Sequence, residues 1–165
     1  MKPRVRKLFA SIFRILLLLS FLLTLIWLVM ASPVLSGNSR SSLSVDPDRL
    51  EAHVRKLSEE YHPRSYLQVS NLDKCAEYIA DNFRKAGGSV SFQEWTVEGS
   101  VYRNVRAFFG PPAGKRLIIG AHYDACGDTP GADDNASGVA ALIELAYLLG
   151  RTTPSKEVEL VAYVL

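Results

Sequence analysis

His122 and Asp124 stand two positions apart, and Asp134 follows ten residues after Asp124. Neutral imidazole and carboxylate are ordinary zinc ligands, and a bound zinc can bring the pKa of its water down to roughly 7. The chemistry suggested is metal-assisted hydrolysis, with His122 and Asp134 as the candidate ligands. Asp124 is placed to accept the other ring N–H of His122, which would fix the tautomer and raise the basicity of the ligating nitrogen. Asp133 and Asp134 are neighbours, so they point different ways in most backbone conformations. One can ligate while the other faces solvent or caps a helix.

The elements that must carry these residues are legible on either side. Leu117 to Ala121 is a short apolar run that reads as a strand buried on both faces, with His122 at its carboxyl end. Gly138 to Leu149 is a longer apolar run that reads as a buried helix, with Asn135 or Ser137 near its N-cap. Glu157 to Leu165 reads as the next strand. Strand, loop and helix N-terminus thus meet at one crevice, where open α/β sheets bind ligands. Upstream, Asp46-Pro47 marks a helix start, with Leu50, Val54 and Leu57 as its stripe. Asn71 to Ala86 reads as a second amphipathic helix, closed by Gly87-Gly88. Ser89–Val97 and Val101–Phe109 read as strands joined in a hairpin through Glu98, Gly99 and Ser100.

His122-Tyr-Asp124 and Gly131-Ala-Asp-Asp-Asn-Ala-Ser-Gly138 resemble the first half of the site in the co-catalytic di-zinc aminopeptidases, metallopeptidase family 28. Leu50 to Leu57, Arg64, Cys75 to Gly87 and Val101 to Gly110 extend the resemblance as a weaker pattern. It implies His122 as a ligand of one zinc, Asp134 as the carboxylate bridging two zinc ions, and Asp124 behind His122. It also implies an α/β fold: a three-layer zinc-exopeptidase-like sheet with helices on both faces. The family pattern calls for a Glu-Glu pair after the next strand, then a later acid and a final His. The chain stops on that strand, so it reads as an N-terminal fragment of a domain spanning residues 46–165, incomplete at its C-terminus and inactive by itself. Glu94, Glu98 and Glu144 are poorly placed to replace the missing base.

The amino end reads differently. Residues 1–14 form a cationic flank, and 15–31 are seventeen uncharged, mostly apolar residues. That is the short end for a spanning helix, which Leu8 to Phe13 can lengthen if Arg14 snorkels. Positive charge before the segment, and none after it until Arg40, puts the amino end inside and the domain outside. The reading favoured is one uncleaved transmembrane anchor, followed by a Ser-rich linker over 32–45. The alternative is a signal peptide cleaved after Val29-Met-Ala31, with a secreted product.

The net charge is +2, and the basic residues of the domain are scattered, which leaves nucleic-acid binding without support. Two cysteines are too few for a disulfide framework; Cys75 reads as a small buried helix residue. His53 and His62 read as surface residues. The function expected is a membrane-anchored zinc aminopeptidase acting on peptides. The alternatives are a non-catalytic membrane-tethered binding module on the same fold, and a single-zinc enzyme resembling glutaminyl cyclases.

Overall fold

Alternation and turn chemistry lay down the sheet. In the computed structural model, which describes residues 3–31, 43–112 and 114–164, strands β1 (Ser89–Val97) and β2 (Ser100–Phe109) pair antiparallel, with Val97 opposite Ser100. Glu98 and Gly99 are the two turn residues and both have positive φ, the backbone that matches the twist of a tight hairpin. Strand β3 (Leu117–His122) runs parallel to β4 (Val158–Tyr163), and β4 lies antiparallel to β2, giving the order β1-β2-β4-β3. Parallel neighbours require a crossover, and helix α4 (Ser137–Gly150) supplies it.

Every second residue of the sheet faces the helices. Val105, Ala107, Leu160 and Ala162 are fully buried with Leu72, Ala76, Ile79 and Phe83 of helix α3 (Val69–Lys85) and Val139 and Ile143 of α4. The opposite face carries Gln93, Arg106, Ile118, Glu159, Val161 and Tyr163. Glu159 is sealed there by Arg106 and Arg116, whose nitrogens lie 2.5 and 3.1 Å from its carboxylate. The sheet and one helical layer of the expected three-layer architecture are therefore present among the described residues.

Two expectations need correction. The β3 run is not buried on both faces: β3 is an edge strand, and Leu117 and Ile118 are 59% and 54% exposed. An apolar run identifies a strand without saying what covers it. His53, expected at the surface, is buried, because its position on helix α2 (Pro47–Arg55) turns it toward Tyr78 of α3. His62 is partly covered, with its ring nitrogen 3.1 Å from the Asp128 carbonyl. The start of α2 is as read: the Asp46 carboxylate accepts the main-chain N–H groups of Asp48 and Arg49 at 3.1 and 3.2 Å. Cys75 is buried, and burial pushes its thiol pKa up to about 12.

The chain divides into two units, Met1–Ser41 and Ser42–Leu165. The first contains helix α1 (Pro3–Ala31), which carries both the described part of the cationic flank and the apolar run. Its stretch Ser11–Met30 is long and apolar enough to cross a membrane, and none of it is buried. Most of the linker expected over 32–45 lies outside the described residues.

Candidate metal centre

The parallel ladder delivers His122 to the end of β3 opposite Tyr163 of β4. The next residue keeps the strand end from fraying. Tyr123 is buried, donates its main-chain N–H to the Tyr163 carbonyl at 2.8 Å, and donates its hydroxyl to the Arg103 carbonyl at 2.8 Å. With Tyr123 turned into the core, His122 and Asp124 on either side are left partly open, their side chains 42% and 24% exposed.

The second loop reaches the same place from α4. Residues 132–136 make a wide turn interrupted by extended backbone at Asp134 (φ −119°, ψ 84°) and Asn135 (φ −141°, ψ 43°). The peptide between them is cis. Asn135, one of the two cap candidates, takes the capping role: its Oδ1 accepts the Gly138 N–H at 3.0 Å. Gly138 is required there, since a Cβ would sit 2.3 Å from that oxygen. Ser137 instead donates its hydroxyl to the Asp133 carbonyl at 3.2 Å. The turn leaves Asp133 exposed and aims Asp134 at β3.

The result is a three-residue row. His122 Nε2 lies 2.9 Å from Asp134 Oδ1, and His122 Nδ1 lies 3.3 Å from Asp124 Oδ1. One imidazole edge faces a well-exposed carboxylate, and the other is backed by a half-buried one. The row is open to solvent, as a site that must admit a reactant has to be. A shallow groove of about 200 Å³ runs beside it, lined by Ile119, Gly120, Asn135, Gly138 and Leu142.

The donor types fit zinc, which takes imidazole nitrogen and carboxylate oxygen, usually four ligands in all. His122 and Asp134 make two, and among the described residues no group of three or more His, Cys, Asp and Glu side chains is arranged to hold a metal ion. Cys126, four residues past His122, is exposed and free.

Spacing gave no sign of one residue beneath this site. Arg64 is fully buried, and its guanidinium donates to the carbonyls of Tyr123, Pro130 and Gly131, each at 2.9 Å, and to that of Leu57. Burial lowers its pKa, while Cys75 and Asp124 act the other way. Only the weak upstream resemblance touched this position, because its partners are main-chain oxygens far away in the chain.

The comparisons fall on the same segment. Residues 104–164 match the model of peptidase family M28. The uncharacterized protein YfbL of Escherichia coli is 41% identical over 160 residues, covering 92% of this chain and 49% of YfbL. Among solved structures, a Zn-dependent exopeptidase of Parabacteroides distasonis superposes with a TM-score of 0.63 at 25% identity, over 74% of this chain and 48% of that one. The glutaminyl cyclase of Porphyromonas gingivalis does so with a TM-score of 0.62 at 25% identity, over 72% and 45%. The chain spans about half the length of these relatives.

Proposed function

We propose that His122 and Asp134 hold zinc in an exopeptidase-type site and that Asp124 orients His122, a reading supported by the match of residues 104–164 to the model of peptidase family M28. The observation carrying this is the 2.9 Å approach of His122 Nε2 to Asp134 Oδ1, with Asp124 at the opposite ring nitrogen. When bound, zinc supplies a Lewis acid for a scissile carbonyl and an acidified water. The chain's own residues do the rest of what can be derived. Asp124 Oδ1, 3.3 Å from His122 Nδ1, is the acceptor we assign to the Nδ1–H, which would leave the Nε2 lone pair free to ligate. Tyr123 fixes the strand end, so that both side chains keep their spacing. In the complete site His122 and Asp134 would help to hold two zinc ions, and hydrolysis of the first residue from a peptide bearing a free amino group is the activity we assign to it.

Helix α1 is proposed as a single-pass anchor that leaves residues 46–165 on the extracytoplasmic side. Support comes from the apolar stretch Ser11–Met30 and from the cationic residues ahead of it. A form cleaved after Ala31 would instead be secreted, and amino-terminal sequencing of the exported protein separates the two.

A second reading is favoured by one observation. The similar solved structures include a glutaminyl cyclase, so the same scaffold also carries cyclisation of amino-terminal glutamine. Zinc titration of the chain comes first, and it should show binding that is lost in both His122→Ala and Asp134→Ala. Assays of a longer form that carries the Glu-Glu pair, on aminoacyl anilides and on glutaminyl peptides, then divide the readings. Hydrolysis supports the peptidase, and cyclised product without hydrolysis supports the cyclase. Zinc bound by that longer form with neither reaction makes it a binding module.

A further inference from the structure

We propose that Arg64 is the positioning residue that locks together the two ligand-bearing loop segments of the β3–α4 connection, residues 123–125 and 130–136, acting on His122 and Asp134 through the main chain alone. A guanidinium offers five N–H donors in a rigid planar fork. Here four hydrogen bonds leave that fork, and all end on main-chain carbonyls. Nε takes the Tyr123 carbonyl, between His122 and Asp124. Nη1 and Nη2 take the carbonyls of Pro130 and Gly131, at the start of the turn that presents Asp134. Nη1 also takes the Leu57 carbonyl, which ties the fork to the residues after α2. The main chain of Arg64 adds a fifth tie, because its carbonyl accepts the Ala125 N–H at 2.9 Å.

The pattern is specific to the loops. A buried cation that merely balanced charge would be expected against a carboxylate, yet this one satisfies itself on oxygens that belong to two loops lying side by side. The fork's planarity fixes the distance and angle between those oxygens, and so between the backbone segments that carry the ligands. Gly131 has been shaped to the same end. Its φ of +60° suits glycine, and a Cβ there would lie 2.8 Å from Arg64 Nη2 and 2.7 Å from the Ala125 Cβ. Lysine cannot substitute, since its single ammonium cannot span carbonyls on both loops.

Residue-resolved hydrogen exchange and zinc titration of the full chain in detergent micelles test the proposal. In Arg64→Lys the amides of Ala125 and Ala136 should exchange at least tenfold faster together, while those of α3 stay protected. Zinc should bind at least tenfold more weakly. In Arg64→Gly, added guanidinium ion should restore protection of both loops, whereas added ammonium should not. Gly131→Ala should loosen the same two amides from the other side of the fork. Loosening of only one loop, wild-type exchange in Arg64→Lys, or protection lost equally across α3 in every variant would overturn the proposal. The metal arm rests on the zinc reading above. A wild-type chain that binds no zinc, with both loops still loosening together in Arg64→Lys, would end that reading and leave the clamp standing.

Discussion

Glu144 and Asp134 each face a nitrogen-bearing side chain, and the two pairs are built in opposite ways. Glu144 sits in the apolar helix α4 with a side chain only 3% exposed. Both its oxygens are taken: the Arg49 guanidinium grips it with two nitrogens, and the Asp46 N–H adds a third bond at 3.3 Å. The Arg49 guanidinium in turn stacks over the Tyr147 ring, 4.4 Å from its centre. Asp134 is the reverse, with a side chain 78% exposed and set against His122. A satisfied, sealed acid stabilises a fold; an open one aimed at an imidazole is available to a ligand. A glutamate within an apolar helix is the more conspicuous oddity in the chain, yet it is the structural one.

The comparison can be broken by substitution. The largest effect expected is on Glu144→Ala, which strands Arg49 and the Asp46 N–H. Removing one partner of a buried pair costs about 3–5 kcal/mol, and the 28% exposure of Arg49 places this case near the lower end. A denaturant midpoint measures it, and a loss within ~0.5 kcal/mol would put Glu144 in the same class as Asp134. His122→Ala and Asp134→Ala should do the converse. Stability should stay within about 0.5 kcal/mol, as for open surface positions. Zinc affinity should fall by more than the ~10–100-fold that goes with changing a ligand's hydrogen-bond partner. Retained zinc binding in both variants would remove the site from these residues.

Asp124→Asn is expected to weaken zinc about tenfold, because the amide is a poorer acceptor for Nδ1–H and leaves the ring less firmly oriented. An affinity equal to that of His122→Ala would make Asp124 a ligand rather than a support. The smallest effect expected is the pH dependence of the sealed cluster. Burial holds the His53 pKa below its ordinary 6.5, and Arg49 holds that of Glu144 below its ordinary 4.5. In both cases the unfolded chain binds the extra proton more readily, so stability falls on acidification. The His53 part is lost first, as pH drops below 6.5 toward its lowered folded value, and the Glu144 part follows below 4.5. Each unit of depression is worth about 1.4 kcal/mol. In His53→Phe the first decline should vanish and the second remain; an unchanged profile would show that His53 is not its source.

His53 also shows where reading along the chain stops. It lies on a helix whose stripe of Leu50, Val54 and Leu57 was evident, yet its own ring faces Tyr78, with Nδ1 2.6 Å from the hydroxyl. Its Nε2 has no hydrogen-bond partner among the described residues. The periodicity marked a face; the width of that face depended on how α3 packed against it. Strand β3 repeats the lesson, since its apolar letters identify a strand and not its place at the sheet edge. The upstream site residues behave alike. Arg64 is 59 residues from Tyr123 and 67 from Gly131, and no local spacing encodes such a meeting.

What could be read directly is whatever neighbours in the chain dictate to one another. The cap at Asp46, the hairpin turn at Glu98-Gly99 and the capped helix after Asn135 depend on contacts a few residues long. Residue type and spacing also picked out His122, Asp124 and Asp134, whose side chains the structure brings together. Packing decided the rest: which cap candidate bonds, which acid of the Asp133-Asp134 pair turns to the imidazole, which histidine is buried, and which arginine lies under the loops. These depend on faces brought together from distant parts of the chain, where main-chain oxygens without sequence identity are the partners and side-chain volume sets the fit.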